Sequence, residues 1–156
     1  MMTTLKDFRY EVKGSTLPRR RVRLTSDGKA PLEAATPPEF RGGTPGIWSP
    51  EDLLVAAVVS CYAVTLDSIA EHRGFELRRV DVTGAGHVTR RAEGRIGFVV
   101  IELAVDITVA PGFEHEAERA ARAAKKSCLI AHALEIPVEL ELRVHTTPAL
   151  QPAAVG

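Results

Sequence analysis

An α+β fold with a mostly antiparallel sheet is predicted by three features of the sequence. Strand-like alternation occurs in clusters rather than singly between helices. One long apolar segment and one alanine-rich segment carry helical signals. Turn residues separate these stretches at short intervals. With 156 residues and 45% apolar content, the chain can bury one substantial core, and a single domain over residues 1–146 is expected, followed by a Pro- and Ala-rich tail at 147–156.

Each element has its own local reason. Phe8, Tyr10 and Val12 alternate with Arg9, Glu11 and Lys13, so a half-buried first strand is predicted there, broken by Gly14, Ser15 and Pro18. Val22 and Leu24 alternate with Arg21, Arg23 and Thr25 and stop at the turn signal Ser26-Asp27-Gly28, which makes a second strand and a hairpin with the first. From Pro31 to Trp48 four prolines and three glycines predict a long loop, with room for a short strand at 32–35. Ser49 suits an N-cap, Pro50 the first helical position, and Asp52 stands three residues after the serine. A helix is therefore predicted from Pro50 to Arg73, stopped by Gly74. Its first half is apolar nearly all round, so it is expected to be central and buried on most sides.

Two further strands are predicted at 80–90 and 96–109, paired antiparallel across Arg91-Ala92-Glu93-Gly94-Arg95. In the second, Ile101, Leu103, Val105, Ile107 and Val109 mark one face. The alanine- and charge-rich stretch 113–127 is a strong helix former ending near Cys128. A helical turn at 130–134 and a last strand through Val138, Leu140, Leu142 and Val144 complete the order.

Composition narrows function. Twenty basic and twenty acidic residues balance, so no net field favours a nucleic-acid or anionic-membrane partner. The most apolar stretch, Leu53 to Val64, is shorter than the roughly 20 residues that span a bilayer. The amino end lacks the apolar run of a secretory signal, so a cytoplasmic location is expected. The chain has two cysteines, and a reducing compartment disfavours a permanent structural disulfide. Cys61 and Cys128 are thus either inert buried thiols or redox-active. Lying 67 residues apart in sequence, they can meet only through tertiary structure. His132 follows Cys128 by four residues, but a single Cys-x-x-x-His pair without further ligands predicts no metal site. His72, His87, His115 and His145 fall among polar positions and are expected to face solvent. Phe40 and Trp48, just before the long helix, suit either core packing or the lining of an apolar substrate pocket.

Ser49-Pro50-Glu51-Asp52-Leu53-Leu54, then Ala56-Ala57 and Ser60-Cys61, resembles the signature that opens the central helix of OsmC/Ohr proteins. The Phe40-Arg41-Gly42-Gly43 loop before it, and Ala123 to Cys128 with Ala133-Leu134 and Pro137-Val138 after it, extend the likeness over nearly the whole chain. Two departures leave open whether the chain falls on an OsmC-like branch or with the organic hydroperoxide resistance enzymes: Leu129 follows the second cysteine where many relatives have Pro, and Tyr62 follows the first where Phe is common. The resemblance implies an OsmC/Ohr-like fold with mostly antiparallel sheets packed around two central helices, an interlocked homodimer and a thiol-dependent peroxidase acting on organic hydroperoxides. It implies Cys61 as the peroxide-attacking residue and Cys128 as its resolving partner. Glu51 would be the carboxylate beside the site, holding an arginine that activates Cys61. Counting back from Ser26-Asp27-Gly28 favours Arg19 for that cation, with Arg20 and Arg21 as its neighbours in register. A dithiol reductant of lipoyl type is implied, and no cofactor.

Chemistry explains the grouping. An ordinary cysteine is mostly protonated at neutral pH, only the thiolate attacks an O–O bond usefully, and a nearby guanidinium favours the charged form. Glu51 and Cys61 are ten residues apart on one predicted helix, about 15 Å along its axis. A shared site therefore calls for Glu51 and its arginine from a second subunit. The rival expectations are a noncatalytic redox-sensing or small-ligand-binding dimer and a thiol-dependent hydrolase. The hydrolase is disfavoured because no histidine base stands at a recognisable spacing from Cys61.

Overall fold

A computed structural model describes residues 6–147. The chain divides into two compact units, with the boundary after Leu53.

The first unit holds a three-stranded antiparallel sheet in the order β1 (Lys13–Leu17), β2 (Arg21–Thr25), β3 (Leu32–Ala35). The hairpin is present, but its first strand lies later than predicted. Phe8, Tyr10 and Val12 precede β1, in no regular element, and are 69%, 89% and 65% exposed. The reason is register. The turn at Pro18-Arg19-Arg20 sets Leu17 opposite Arg21, and β2 ends at Thr25 opposite Lys13. Residues before Lys13 have no strand left to pair with, whereas Gly14 and Ser15 are held extended by β2 despite weak strand propensity.

The second unit is built on a sheet in the order β4 (Arg79–Arg90), β5 (Ile96–Val109), β6 (Val138–Thr146). The β4–β5 pair is antiparallel and β5–β6 parallel. Parallel neighbours need a crossover, and residues 110–137 supply it through α2 (Glu114–Ser127) and α3 (Leu129–His132). The alternation in β5 sets the core: Ile101, Leu103, Val105, Ile107 and Val109 are buried, joined by Ala117, Ala120, Ala121 and Ala124 of α2. Phe75 stacks on Phe113 with ring centroids 6.2 Å apart, tying the start of the crossover to the chain before β4. The predicted tail begins with Thr147, whose N–H bonds to the Val109 carbonyl. The rest of the tail lies outside the described residues.

Helix α1 (Pro50–Arg73) has the predicted bounds and a reciprocal cap. The Asp52 N–H donates to Ser49 Oγ at 3.0 Å, and the Ser49 N–H donates to Asp52 Oδ2 at 2.8 Å, satisfying donors at the helix start. Close approach of α1 to β4 depends on glycine. A Cβ at Gly84 would lie 2.5 Å from Val59 Cγ2, and one at Gly86 2.8 Å from Val55 Cγ2. The helix is not buried on most sides within one chain. Val58, Tyr62, Leu66 and Ala70, one residue per turn, are fully enclosed, while Val64 is 66% exposed. One sheet and one helix can cover only one stripe of an all-round apolar helix. By length and composition α1 would also suffice to cross a membrane.

Candidate active site

The two cysteines meet. Cys61 is half-buried on α1, and Cys128 is enclosed between α2 and α3. Cys128 has extended backbone, φ −68° and ψ 105°, which ends α2 and lets the chain restart as α3 in a new direction. Cys61 and Cys128 lie close enough for each side chain to shift the other's titration, and the Ile130 and Leu129 backbone and the Thr65 side chain act on Cys61 as well.

These contacts divide the thiols into unlike partners. Burial pushes the Cys61 thiol up, but the Ile130 N–H, the Cys128 side chain, the Leu129 N–H and Thr65 together outweigh it, leaving Cys61 below the ordinary cysteine value. At Cys128 burial again pushes up, the Ala131 N–H opposes it, and the neighbouring Cys61 adds to the rise, so the group is held above the ordinary value. Cys61 is therefore the more readily ionised thiol of the pair and Cys128 the one held protonated longer. Tyr62 is fully buried beside them. Burial, with the charge at Cys128 adding to it, holds its phenol far above the ordinary tyrosine range, and its O–H donates to the Ala121 carbonyl at 3.1 Å.

The other predicted site residues belong to the first unit. Arg19 and Arg20 occupy the β1–β2 turn with φ 62° and 55°, the left-handed region that side chains rarely adopt. Arg20 donates to the Arg41 carbonyl and lies over Gly42, where a Cβ would come within 3.1 Å of its guanidinium. Arg21 donates to the Pro18 carbonyl at 3.1 Å and pairs with Glu33 at 2.7 Å. Among the described residues Arg19 makes no side-chain hydrogen bond or ion pair. Glu51, in the first turn of α1, has a buried Oε2 without a hydrogen-bond partner. Phe40 and Trp48 are both exposed, so neither packs in the core of the chain, although the Trp48 carbonyl accepts from the Ala35 N–H at 2.8 Å. All five histidines are exposed; His87 contacts Glu102 and His145 contacts Asp106.

Three contributors were missed in the sequence. Thr65 stands four residues after Cys61 on one helix, a spacing that places both on one face and was there to be read. The Leu129 and Ile130 N–H groups act through the backbone and leave no mark in residue type.

An α+β chain with paired, electrostatically unlike thiols is the class that fold and site define. The OsmC-like protein family model matches residues 43–143, and the chain belongs to the OsmC/Ohr family. Solved structures share the fold. An OsmC-like protein of unknown function from Vibrio cholerae matches with TM-score 0.79 at 18% identity, covering 88% of this chain and 100% of the other. An organic hydroperoxide resistance protein from Elizabethkingia anophelis gives 0.71 at 21% identity, covering 94% and 100%. One from Legionella pneumophila, described as OsmC and as a predicted redox protein, gives 0.70 at 25% identity, covering 88% and 97%. No curated protein matches the sequence significantly.

Proposed function

We propose that the protein is a thiol-dependent peroxidase that reduces organic hydroperoxides. The observation that carries this reading is the thiol pair: a half-buried Cys61 shifted toward the thiolate beside a buried Cys128 shifted away from it. The Cys61 thiolate attacks one peroxide oxygen, the O–O bond breaks, and the departing alkoxide takes a proton to leave as alcohol. Cys61 is then a sulfenic acid. Cys128 loses its proton and attacks the Cys61 sulfur, hydroxide leaves as water, and the disulfide forms. A dithiol, of lipoyl type by family resemblance, reduces it by exchange and becomes a disulfide itself.

Arg19 is our choice for the cation that assists attack, because Arg20 and Arg21 are already engaged while Arg19 is uncommitted among the described residues. The unpartnered buried oxygen of Glu51 suits a carboxylate waiting for a guanidinium. Phe40 and Trp48 offer exposed apolar surface for the substrate's organic part. The uncovered faces of α1 support a homodimer, since so large an apolar surface asks for a partner, and a second copy would also bring Glu51 and Arg19 to a Cys61 site. The reaction belongs in the cytoplasm, where dithiol reductants operate.

The test is thiol count and intact mass before and after one equivalent of cumene hydroperoxide. Loss of both thiols with a decrease of about 2 Da is expected. Cys61→Ser should consume no peroxide, and Cys128→Ser should stop at sulfenic acid or beyond. Unchanged thiols in the wild type would overturn the reading in favour of a noncatalytic binding dimer. A fully active monomer by light scattering would overturn the shared site.

A further inference from the structure

We propose that Tyr62 is a positioning residue for the resolving step: its buried phenol, bonded to the Ala121 carbonyl, holds α2 in the register that lets Cys128 reach oxidised Cys61. The inference rests on the two-cysteine reading above.

Tyr62 follows Cys61 directly, and one helical step of about 100° turns its side chain from the thiol pair into the interior, where it is completely enclosed. Its O–H reaches across to α2 and donates to Ala121 O at 3.1 Å. Ala121 lies within α2, where its carbonyl faces the N–H four residues on. The phenol is thus a lateral tie and not a filler for an orphaned acceptor. Ala121 precedes Cys128 by seven residues, and Cys128 is the capping residue directly joined to the end of α2. A shift of α2 at Ala121 is therefore passed on to Cys128.

The face that α2 buries explains why a tie is needed. It consists of Ala117, Ala120, Ala121 and Ala124. Alanines allow close approach but present short side chains, which interlock weakly and resist sliding little. Among the described residues no other side-chain hydrogen bond or ion pair joins α1 to α2. Disulfide formation is demanding in geometry: the S–S bond forms only within a narrow range of Cα separation and torsion. The step that needs α2 in place is the attack of Cys128 sulfur on Cys61 sulfur, with cleavage of the S–O bond and release of water. The first attack on peroxide involves Cys61 alone and does not need it.

The experiment compares wild type with Tyr62→Phe, which removes one oxygen and keeps the ring. With cumene hydroperoxide and alkylation quenching, the rate of sulfenic acid formation should match wild type. Disulfide closure should slow about fivefold, the worth of one hydrogen bond, and under excess peroxide more Cys61 should end as sulfinic or sulfonic acid. Val144→Ala, a destabilising change on β6, serves as a control that should lower the melting temperature and leave this partition unchanged. A second arm uses diamide, which oxidises two thiols to a disulfide and is itself reduced to the hydrazine. It reads register without any peroxide chemistry. Slower closure with diamide in Tyr62→Phe upholds the positioning role even if wild type ignores hydroperoxides, an outcome that would sink the peroxidase reading alone. Equal closure rates in the diamide arm, or equal overoxidation of two proteins that both react with peroxide, would overturn the role of Tyr62.

Discussion

Replacing Thr65 with valine removes one hydroxyl from the Cys61 site and preserves the shape of the side chain. Thr65 lies one turn beyond Cys61 on α1, and its bond is one of four that favour the Cys61 thiolate against burial. A hydrogen bond to a charged group contributes about 1.5–3 kcal/mol when buried. Cys61 is only half-buried, and solvent screening reduces this to about 1 kcal/mol. Removing a donor from an anion destabilises the anion, so the Cys61 value should move up toward the ordinary thiol. At a pH where Cys61 is mostly protonated, the thiolate fraction should fall about fivefold, since 1.36 kcal/mol is tenfold. Iodoacetamide labelling of the Cys61 peptide, followed from pH 5 to 10 by mass spectrometry, measures this. The valine curve should shift to higher pH and reach the same alkaline plateau, while Thr65→Ser, which keeps the hydroxyl, should follow wild type. Superimposable valine and wild-type curves would refute the reasoning. They would mean that the hydroxyl bonds its own helix backbone, as threonines often do, and that the Ile130 and Leu129 N–H groups suffice.

Gly84→Ala should destabilise the fold by about 1–3 kcal/mol, the usual range for overpacking, because its Cβ would fall 2.5 Å from Val59 Cγ2 and 2.8 Å from Val55 Cγ1. A urea midpoint equal to wild type would show that α1 lifts off the sheet freely. In Cys61→Ser burial remains the largest influence on the Cys128 thiol, which should keep it above its ordinary value. The unfolded chain therefore loses that proton first, and unfolding free energy should be steady below about pH 8.5 and fall as pH rises through the folded value. No fall between pH 8 and 10, relative to Cys61→Ser/Cys128→Ala, would contradict the raised value. Arg19→Ala should slow oxidation of Cys61 strongly and Glu51→Ala less, while Arg20→Ala and Arg21→Ala stay near wild type; equal rates in all four would sink the electrostatic assistance.

How far the sequence reveals this molecule depends on whether a feature is local. The Ser49–Asp52 cap and the buried face of β5 are read from a few neighbouring residues, and both are in place. Strand pairing is not local: alternation at Phe8, Tyr10 and Val12 says that the segment can be a strand, but not whether a partner exists, and β2 ends too soon to provide one. Nor does alternation give direction, so the parallel β5–β6 pair had no signature. The meeting of Cys61 with Cys128 was expected from family resemblance and not from spacing. Its donors at Leu129 and Ile130 depend on the extended backbone of Cys128, a conformation that no residue type announces.

The largest disagreement lies in α1, which reads as apolar on nearly every side yet is enclosed along one stripe. A sequence records every surface that must leave water, whichever molecule covers it, whereas the fold of one chain accounts only for what that chain can cover. Val64, two-thirds exposed on a helix whose Val58, Tyr62 and Leu66 are wholly buried, is a residue without a reason inside the single chain. The same holds for the unpartnered oxygen of Glu51 on the first turn of this helix. An uncovered apolar face and an unsatisfied carboxylate on one element are both met if a second copy packs against α1 and brings a cation with it. Substituting Val64 by Lys places a charge in that contact. It should dissociate the dimer and slow peroxide turnover while leaving the melting behaviour of the isolated chain nearly unchanged, because an exposed position contributes little to the monomer fold. Dimers that persist in Val64→Lys at low micromolar concentration would show that this face is not the one covered.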